Sequence, residues 1–480
     1  MTVLDLDNLS DLATFARIAE AEGIRQTSGR CDQPIQLAGV RRIWHKPSGT
    51  VLHELNSATM PGGVLVMACG NRRASHCEAC STLYKYDTYN LIVAGLRGGK
   101  EVSAVVADNP RLFVTLTAPS FGPVHLGPDK KGQRRPCHPR RTGPSCGRWH
   151  GPDDLLIGSP LNPDTYDYTG HALFNAMASA LWSRTTTEIR RALARLLGLT
   201  RAEAARRFTV VFAKVAEYQA RGLVHFHAVI RLDGPHGPGS PAPSGIPIYM
   251  LAEAVEIGVR RATVDTPDAS TVPTRALAWG RQLDVRLISA TDLNAEAASA
   301  LSDVAVARYI AKYATKAAEA AGLDLSPIAC RRCAGHGFVV LDVKSEDGTA
   351  STRELACGDC RSYGTRANLD RFDLTPHARR LIETCWRLGG MPELAELKLR
   401  KWAHMLGFRG HFSTKSRTYS TTLGALRTER ADYQAAQRAD VPDLDLYDES
   451  TILVVNDWSF VGRGHPDVYP KSQPDQEDRQ

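Results

Sequence analysis

The segment 208–232 constrains this chain more than any other. Two runs, Phe208 to Glu217 and Leu223 to Leu232, have strand character and are joined at Arg221-Gly222. So short a connection makes a hairpin, and the two strands pair antiparallel. Alternate residues of a strand share a face, which sets His225 and His227 side by side and turns Phe226 toward the core. Two neutral imidazoles on one rigid face are half of a divalent-metal site. Glu217 lies near the end of the preceding strand, where the hairpin can bring its carboxylate opposite the histidines. Two histidines and one carboxylate leave positions open for a phosphate oxygen, as a Lewis-acid site requires. A half-buried strand that merely carries two histidines on its polar face fits the same pattern, so a second element is needed.

That element lies downstream. Leu301 to Ala321 is Ala-rich and closed by Gly322, which predicts a helix. Within it Tyr309 and Tyr313 are four apart, on one face and one turn from each other. Lys312 and Lys316 each follow a tyrosine by three residues. A phenol has an ordinary pKa of about 10 and is a poor nucleophile while protonated. Neighbouring ammonium groups favour the phenolate and stabilise charge on a phosphate. Two such hydroxyls could perform successive transesterifications. Taken alone, the helix also fits an amphipathic element that packs its tyrosines and solvates its lysines.

Other strands are legible at Arg111 to Thr117, which ends before Pro119, and at Gln282 to Ile288. His171 to Leu197 has helical periodicity and stops at Gly198, while 122–165 is a Gly-, Pro- and Arg-rich stretch. The eleven cysteines are clustered. Close pairs in a reduced compartment favour metal over disulfides. Cys330-x-x-Cys333 and Cys357-x-x-Cys360 flank a strand-like stretch at zinc-ribbon spacing, four thiolates for one structural Zn²⁺. Cys69, Cys77 and Cys80 supply three ligands of a second set, with Cys31 or His76 as the fourth. Cys137 and Cys146, with His138 or His150, are either a third set or part of a plain loop.

Together these elements resemble the HUH endonucleases. His225-Phe226-His227 matches their histidine-hydrophobic-histidine motif, and Phe113-Val114-Thr115-Leu116-Thr117 looks like their first strand motif. Tyr309 to Lys316 is similar to the double-tyrosine motif of small phage replication initiators. A wider likeness, to replication initiators of actinomycete plasmids and integrative elements, is carried by Cys69-Gly70-Asn71-Arg72-Arg73 with Cys77 and Cys80. It continues in Gly410-His411-Phe412-Ser413-Thr414-Lys415-Ser416-Arg417 with Tyr419. The resemblance implies an α+β fold with a central antiparallel sheet, the HUH or RRM-like palm, flanked by helices. It implies Mg²⁺ or Mn²⁺ on His225, His227 and a third ligand, Glu217 being the best match and Gln219 the runner-up. It further implies a 5′-phosphotyrosyl intermediate on Tyr309 or Tyr313, with Lys316 and Lys312 against the scissile phosphate, and a free 3′-hydroxyl that primes synthesis.

On this reading the chain divides into a Cys-containing module (1–107) and a nickase domain (108–325) with inserted loops at 122–165 and 234–278. A zinc-ribbon-like module (326–366), a helical basic region (367–462) and a disordered tail (463–480) follow. The net charge of +7 is modest, but basic residues crowd 134–141 and 409–417. Arg308, Arg409, Lys415 and Arg417 are candidate DNA contacts, and the expected partner is origin DNA, single-stranded or cruciform. No phosphate-cradling Gly-x4-Gly-Lys-Ser/Thr loop occurs, so unwinding is expected from a host helicase working with the replication machinery. No apolar run approaches the ~18 residues of a membrane span, and a cytoplasmic protein without membrane association is expected. The alternatives are a relaxase or transposase with the same chemistry, or a zinc-dependent DNA-binding regulator without catalysis.

Overall fold

The computed structural model describes residues 28–129, 132–139, 142–236, 239–289, 301–316, 323, 325–344, 350–365, 368–436 and 448–466. The helix expected at Leu9–Ala21, the Gly322 stop and positions 467–480 of the expected tail lie outside these residues. The chain forms two compact units, one of Met1–Thr88 with Thr422–Gln480 and one of Tyr89–Thr421. Among the described residues no helix is long and apolar enough to cross a membrane.

In the first unit, β1 (Ile35–His45) pairs antiparallel with β2 (Thr50–Asn56) and β3 (Leu65–Met67). It also pairs along its whole length with the C-terminal strand Ile452–Arg463. The region expected to be helical up to 462 therefore ends in a strand. The reason is non-local: its partner lies some four hundred residues upstream, and pairing across that distance leaves no helical or hairpin signature nearby.

The second unit is built on a six-stranded sheet. Its strands are β4 (Arg111–Leu116), β5 (Thr209–Tyr218), β6 (Val224–Asp233), β9 (Leu283–Ser289), β10 (Leu301–Ser302) and β13 (Ser413–Lys415). The spatial order is β10-β9-β4-β6-β5-β13, antiparallel throughout except for the short β10–β9 pair. The hairpin expected at Arg221-Gly222 forms, with Glu217 paired to His225 and Val215 to His227.

Alternation gives this sheet two different faces. Val224, Phe226, Ala228, Ile230 and Leu232 of β6 enter the main hydrophobic core, together with Leu173, Phe174, Leu181 and Ile189 of the long helix Tyr168–Leu196. A second helix, Ile248–Arg261, occupies part of the segment expected as an inserted loop at 234–278. A short hairpin, β7 (Thr263–Asp265) with β8 (Ala276–Ala278), follows it. The helical signal was present in the residues: Leu251, Ala254, Val255, Gly258 and Val259 recur at the spacing of one helical face, and all are buried. Gly258 permits this helix to press on the long one, since a Cβ there would come within 2.6 Å of the Ile189 backbone.

The opposite face of the sheet carries the histidines, and the helix Asp303–Ala314 packs across it. Ser302 caps this tyrosine helix by accepting from Ala305 N–H, and Asp303 occupies its first turn, fully buried. The Asp303 carboxylate accepts from Arg111 at 3.0 Å and from Arg97 at 3.2 Å, which ties the start of the helix to β4. Farther along, β11 (Phe338–Lys344) and β12 (Ala350–Ala356) form a separate antiparallel hairpin between the two Cys pairs.

Candidate metal and tyrosine site

The hairpin register brings the three expected donors to one point. Glu217 Oε2 lies 3.0 Å from His225 Nε2 and 3.1 Å from His227 Nε2, and the two imidazole nitrogens are 3.2 Å apart. An octahedral ion with ligands at about 2.1 Å separates adjacent ligand atoms by about 3.0 Å, so this donor set could hold one ion on a single triangular face. These three residues would leave the remaining coordination positions of such an ion to other ligands. Burial by itself pushes the Glu217 carboxyl up. Its hydrogen bonds to His225 and His227 more than offset this and hold it at about 2. Gln219 is not part of the cluster; its side-chain oxygen accepts from Arg221 at 2.8 Å.

Two residues that sequence reasoning treated only as strand now have roles in the site. Thr115 Oγ1 lies 3.0 Å from His227 Nδ1. When Nε2 serves as a metal ligand, the proton stays on Nδ1 and the Thr115 hydroxyl accepts it in a hydrogen bond, which would fix the ring's tautomer and orientation. Phe113 stacks on His227 at 5.9 Å between centroids and meets Tyr309 edge-on at 5.6 Å. Strand alternation on β4 places both side chains on the histidine face, so a signal existed. Their partner strand, however, lies more than a hundred residues away.

The tyrosine helix delivers its phenols to the same point. Tyr309 Oη is 3.1 Å from His227 Nε2, and the Tyr309 and Tyr313 rings are 4.6 Å apart. Burial pushes both phenols above their ordinary values, with the Glu217 charge adding to the rise. Lys312 and Lys316 stand over the ring of Tyr313, at 5.6 and 5.0 Å. The net shift at the phenols is therefore upward, the reverse of the lowering expected from nearby ammonium groups, because burial is the dominant influence. Arg308 is exposed on the same helix.

The cysteine clusters assemble as well. Cys330 Sγ is 3.8 Å from Cys357 Sγ, and Cys333 Sγ is 3.7 Å from Cys360 Sγ. The edge of a tetrahedron with Zn–S bonds of about 2.3 Å is about 3.8 Å, so the four sulfurs could hold a structural zinc ion. Cys31, Cys69, Cys77 and Cys80 form a second such group, with Cys31 and Cys77 sulfurs 3.7 Å apart. Cys31 is the fourth member, while His76 contacts the Arg73 side chain. Cys137, Cys146 and His150 also come together, joined by His125, which sequence reasoning missed. His138 points elsewhere, to the Val124 carbonyl at 2.9 Å. Cys385 is buried in the main core, its thiol pushed up to about 12.

The C-terminal basic motif does more than present charge. Ser413–Lys415 is the edge strand beside β5, and Tyr419 is fully buried against the Arg231 guanidinium. The Lys415 ammonium donates to the carbonyls of Ser416, Arg417 and Ser420, which ties down its own loop. Arg409 and Arg417 are exposed. A cleft of about 500 Å³ gathers Lys214, Lys398, Lys401 and Arg409 with Trp402.

No solved structure matches the chain. A replication initiator protein of Streptomyces ambofaciens is 43% identical over 472 residues, spanning 97% of this chain and 91% of that protein. The family described as "Replication initiator protein, pSAM2" matches residues 17–471. By both criteria the chain belongs to the RepSA family of replication initiators.

Proposed function

We propose that the chain is a two-tyrosine DNA nickase of the HUH type, whose six-stranded sheet serves as the palm, and that it opens rolling-circle replication at an origin. The observation that carries this reading is the 3.1 Å approach of Tyr309 Oη to His227 Nε2, which sets a nucleophile against the edge of the Glu217–His225–His227 cluster. A Mg²⁺ or Mn²⁺ ion on these three residues would offset the Glu217 charge and polarise a phosphate oxygen. Thr115 and Phe113 hold the His227 ring, and the sheet and helix keep the phenol from drifting. Tyr309 gives up its phenolic proton to solvent as Oη attacks phosphorus, the P–O3′ bond breaks, and the departing 3′-oxygen takes up one proton from solvent to become the primer hydroxyl. The 5′-phosphate stays esterified to the tyrosine. Tyr309 acts first because its hydroxyl is the one that meets His227 Nε2 at 3.1 Å, and Tyr313, one turn on, accepts the second cleavage. Lys312 and Lys316 then bear on the phosphate held at Tyr313. Arg308, Arg409 and Arg417 supply exposed charge for origin DNA, single-stranded or extruded as a cruciform. The Cys330 and Cys31 clusters hold structural Zn²⁺, and a host helicase of the replication machinery unwinds the duplex.

The test is incubation with labelled single-stranded origin DNA and Mn²⁺, followed by denaturing electrophoresis. A covalent protein–DNA adduct is expected, abolished by EDTA and by Tyr309→Phe/Tyr313→Phe. A folded protein that shifts this DNA but forms no adduct would instead be a zinc-dependent binding regulator.

A further inference from the structure

We propose that His125, Cys137, Cys146 and His150 hold a further zinc ion, distinct from the two all-cysteine clusters, which clamps the 122–165 lobe onto the hairpin turn beside Glu217. Their donor atoms lie within 4.8 Å of one another. His125 Nδ1 is 3.2 Å from His150 Nε2 and 3.8 Å from Cys137 Sγ, and Cys146 Sγ is 3.4 Å from His150 Nε2. A tetrahedral zinc with bonds of about 2.0 Å to nitrogen and 2.3 Å to sulfur gives edges of about 3.3 to 3.8 Å, close to this set.

The surroundings are those of a metal site, not of a chance cluster. The carboxylate of Asp154 lies 2.7 Å from His150 Nδ1 and accepts a hydrogen bond from it, which leaves Nε2 as the ligand atom. Leu126 N–H points at Cys137 Sγ at 3.3 Å, as an amide does toward a thiolate. Cys137 exchanges backbone hydrogen bonds with Gly147 and Arg148, so the segments that carry both cysteines are laced together. The lobe contains no named strand or helix among its described residues. A stretch with so little apolar burial and no ladder needs another source of order, and a metal cross-link supplies one.

From the cluster a chain of contacts leads to the site. His125 pairs with Gly158 and Ser159 through the backbone. Gly158, at φ +86°, abuts Ala220 so closely that a Cβ there would lie 2.4 Å from the Ala220 carbonyl carbon. Arg221 in the same turn donates to the Ala118 and Pro119 carbonyls at the end of β4. The lobe thereby forms one wall of a cleft of about 760 Å³ at the strand ends, opposite Gln219 and Arg281.

Native mass spectrometry of the full chain tests this, in a Glu217→Ala/His225→Ala background so that the nickase cluster contributes no zinc. Three zinc ions per chain are expected, two in His150→Ala, and three again in His150→Cys and in the control Cys385→Ser. Limited proteolysis within 132–148 should accelerate at least tenfold in His150→Ala and return to the parent rate in His150→Cys. If His150→Ala loses all its zinc, it has misfolded, and the His150→Cys count then decides. A parent chain with only two zinc ions, a His150→Ala chain that keeps three, or a His150→Cys chain with two overturns the metal site. Unchanged proteolysis in a His150→Ala chain that holds two overturns the clamp.

Discussion

The seating of the tyrosine helix rests on one buried charge pair, and Asp303→Ala tests it. Asp303 is 0% and Arg111 3% exposed, and the two are joined at 3.0 Å. Removing the carboxylate leaves the Arg111 guanidinium buried and uncompensated, which costs about 3–5 kcal/mol. The second partner, Arg97, is 46% exposed and adds about 0.5 kcal/mol at most. Loss of a negative charge from the first helical turn adds about another 0.5 kcal/mol. Because Arg111 keeps its bond to the Leu96 carbonyl at 2.6 Å, the lower part of the range applies, and a total of about 4 kcal/mol is expected. Urea unfolding followed by tryptophan fluorescence reads this as a fall in midpoint at constant slope. The double variant Asp303→Leu/Arg111→Met removes both charges together, and it should lose at least 2 kcal/mol less than the sum of the singles. A single substitution costing under about 1 kcal/mol, or strict additivity in the double, would refute the idea that this pair anchors the helix.

Further outcomes follow from the same contacts. Thr115→Val removes the acceptor that orients His227, and Mn²⁺ affinity measured by titration should fall about 10- to 100-fold with the fold intact; an unchanged affinity rules out that role. Lys214 is buried and its ammonium is pulled down to about 7 by that burial, so the unfolded chain binds one more proton than the folded chain between pH 7 and about 10.4. Stability should therefore rise with pH across that window, and the advantage of Lys214→Met should be largest below pH 7 and shrink by roughly 1.4 kcal/mol per pH unit above it. A difference independent of pH in paired denaturation curves would sink this. Cys357→Ser should release one zinc and expose the β11–β12 hairpin to protease, because the small core there consists of the four cysteines with Val339 against them. Retention of that zinc in mass measurements would contradict the assignment.

How much could be read from residues alone depends on the distance over which each contact acts. The side-by-side histidines, the opposing Glu217 and the tyrosines one turn apart are consequences of strand and helix period and a short turn, so sequence alone determined them. The Cys-x-x-Cys pairs are equally local, because two thiolates at that spacing reach one ion wherever the loop goes. Only the tertiary structure brought Thr115 to His227 across 112 positions and Tyr309 to His227 across 82. The same holds for His125 in its cluster, Asp303 on Arg111, the edge strand Ser413–Lys415, and the pairing of β1 with Ile452–Arg463. Period and turn chemistry dictate which side chains share a face, whereas which faces meet is settled by burying apolar surface and satisfying buried charge over the whole chain, and no local pattern records that.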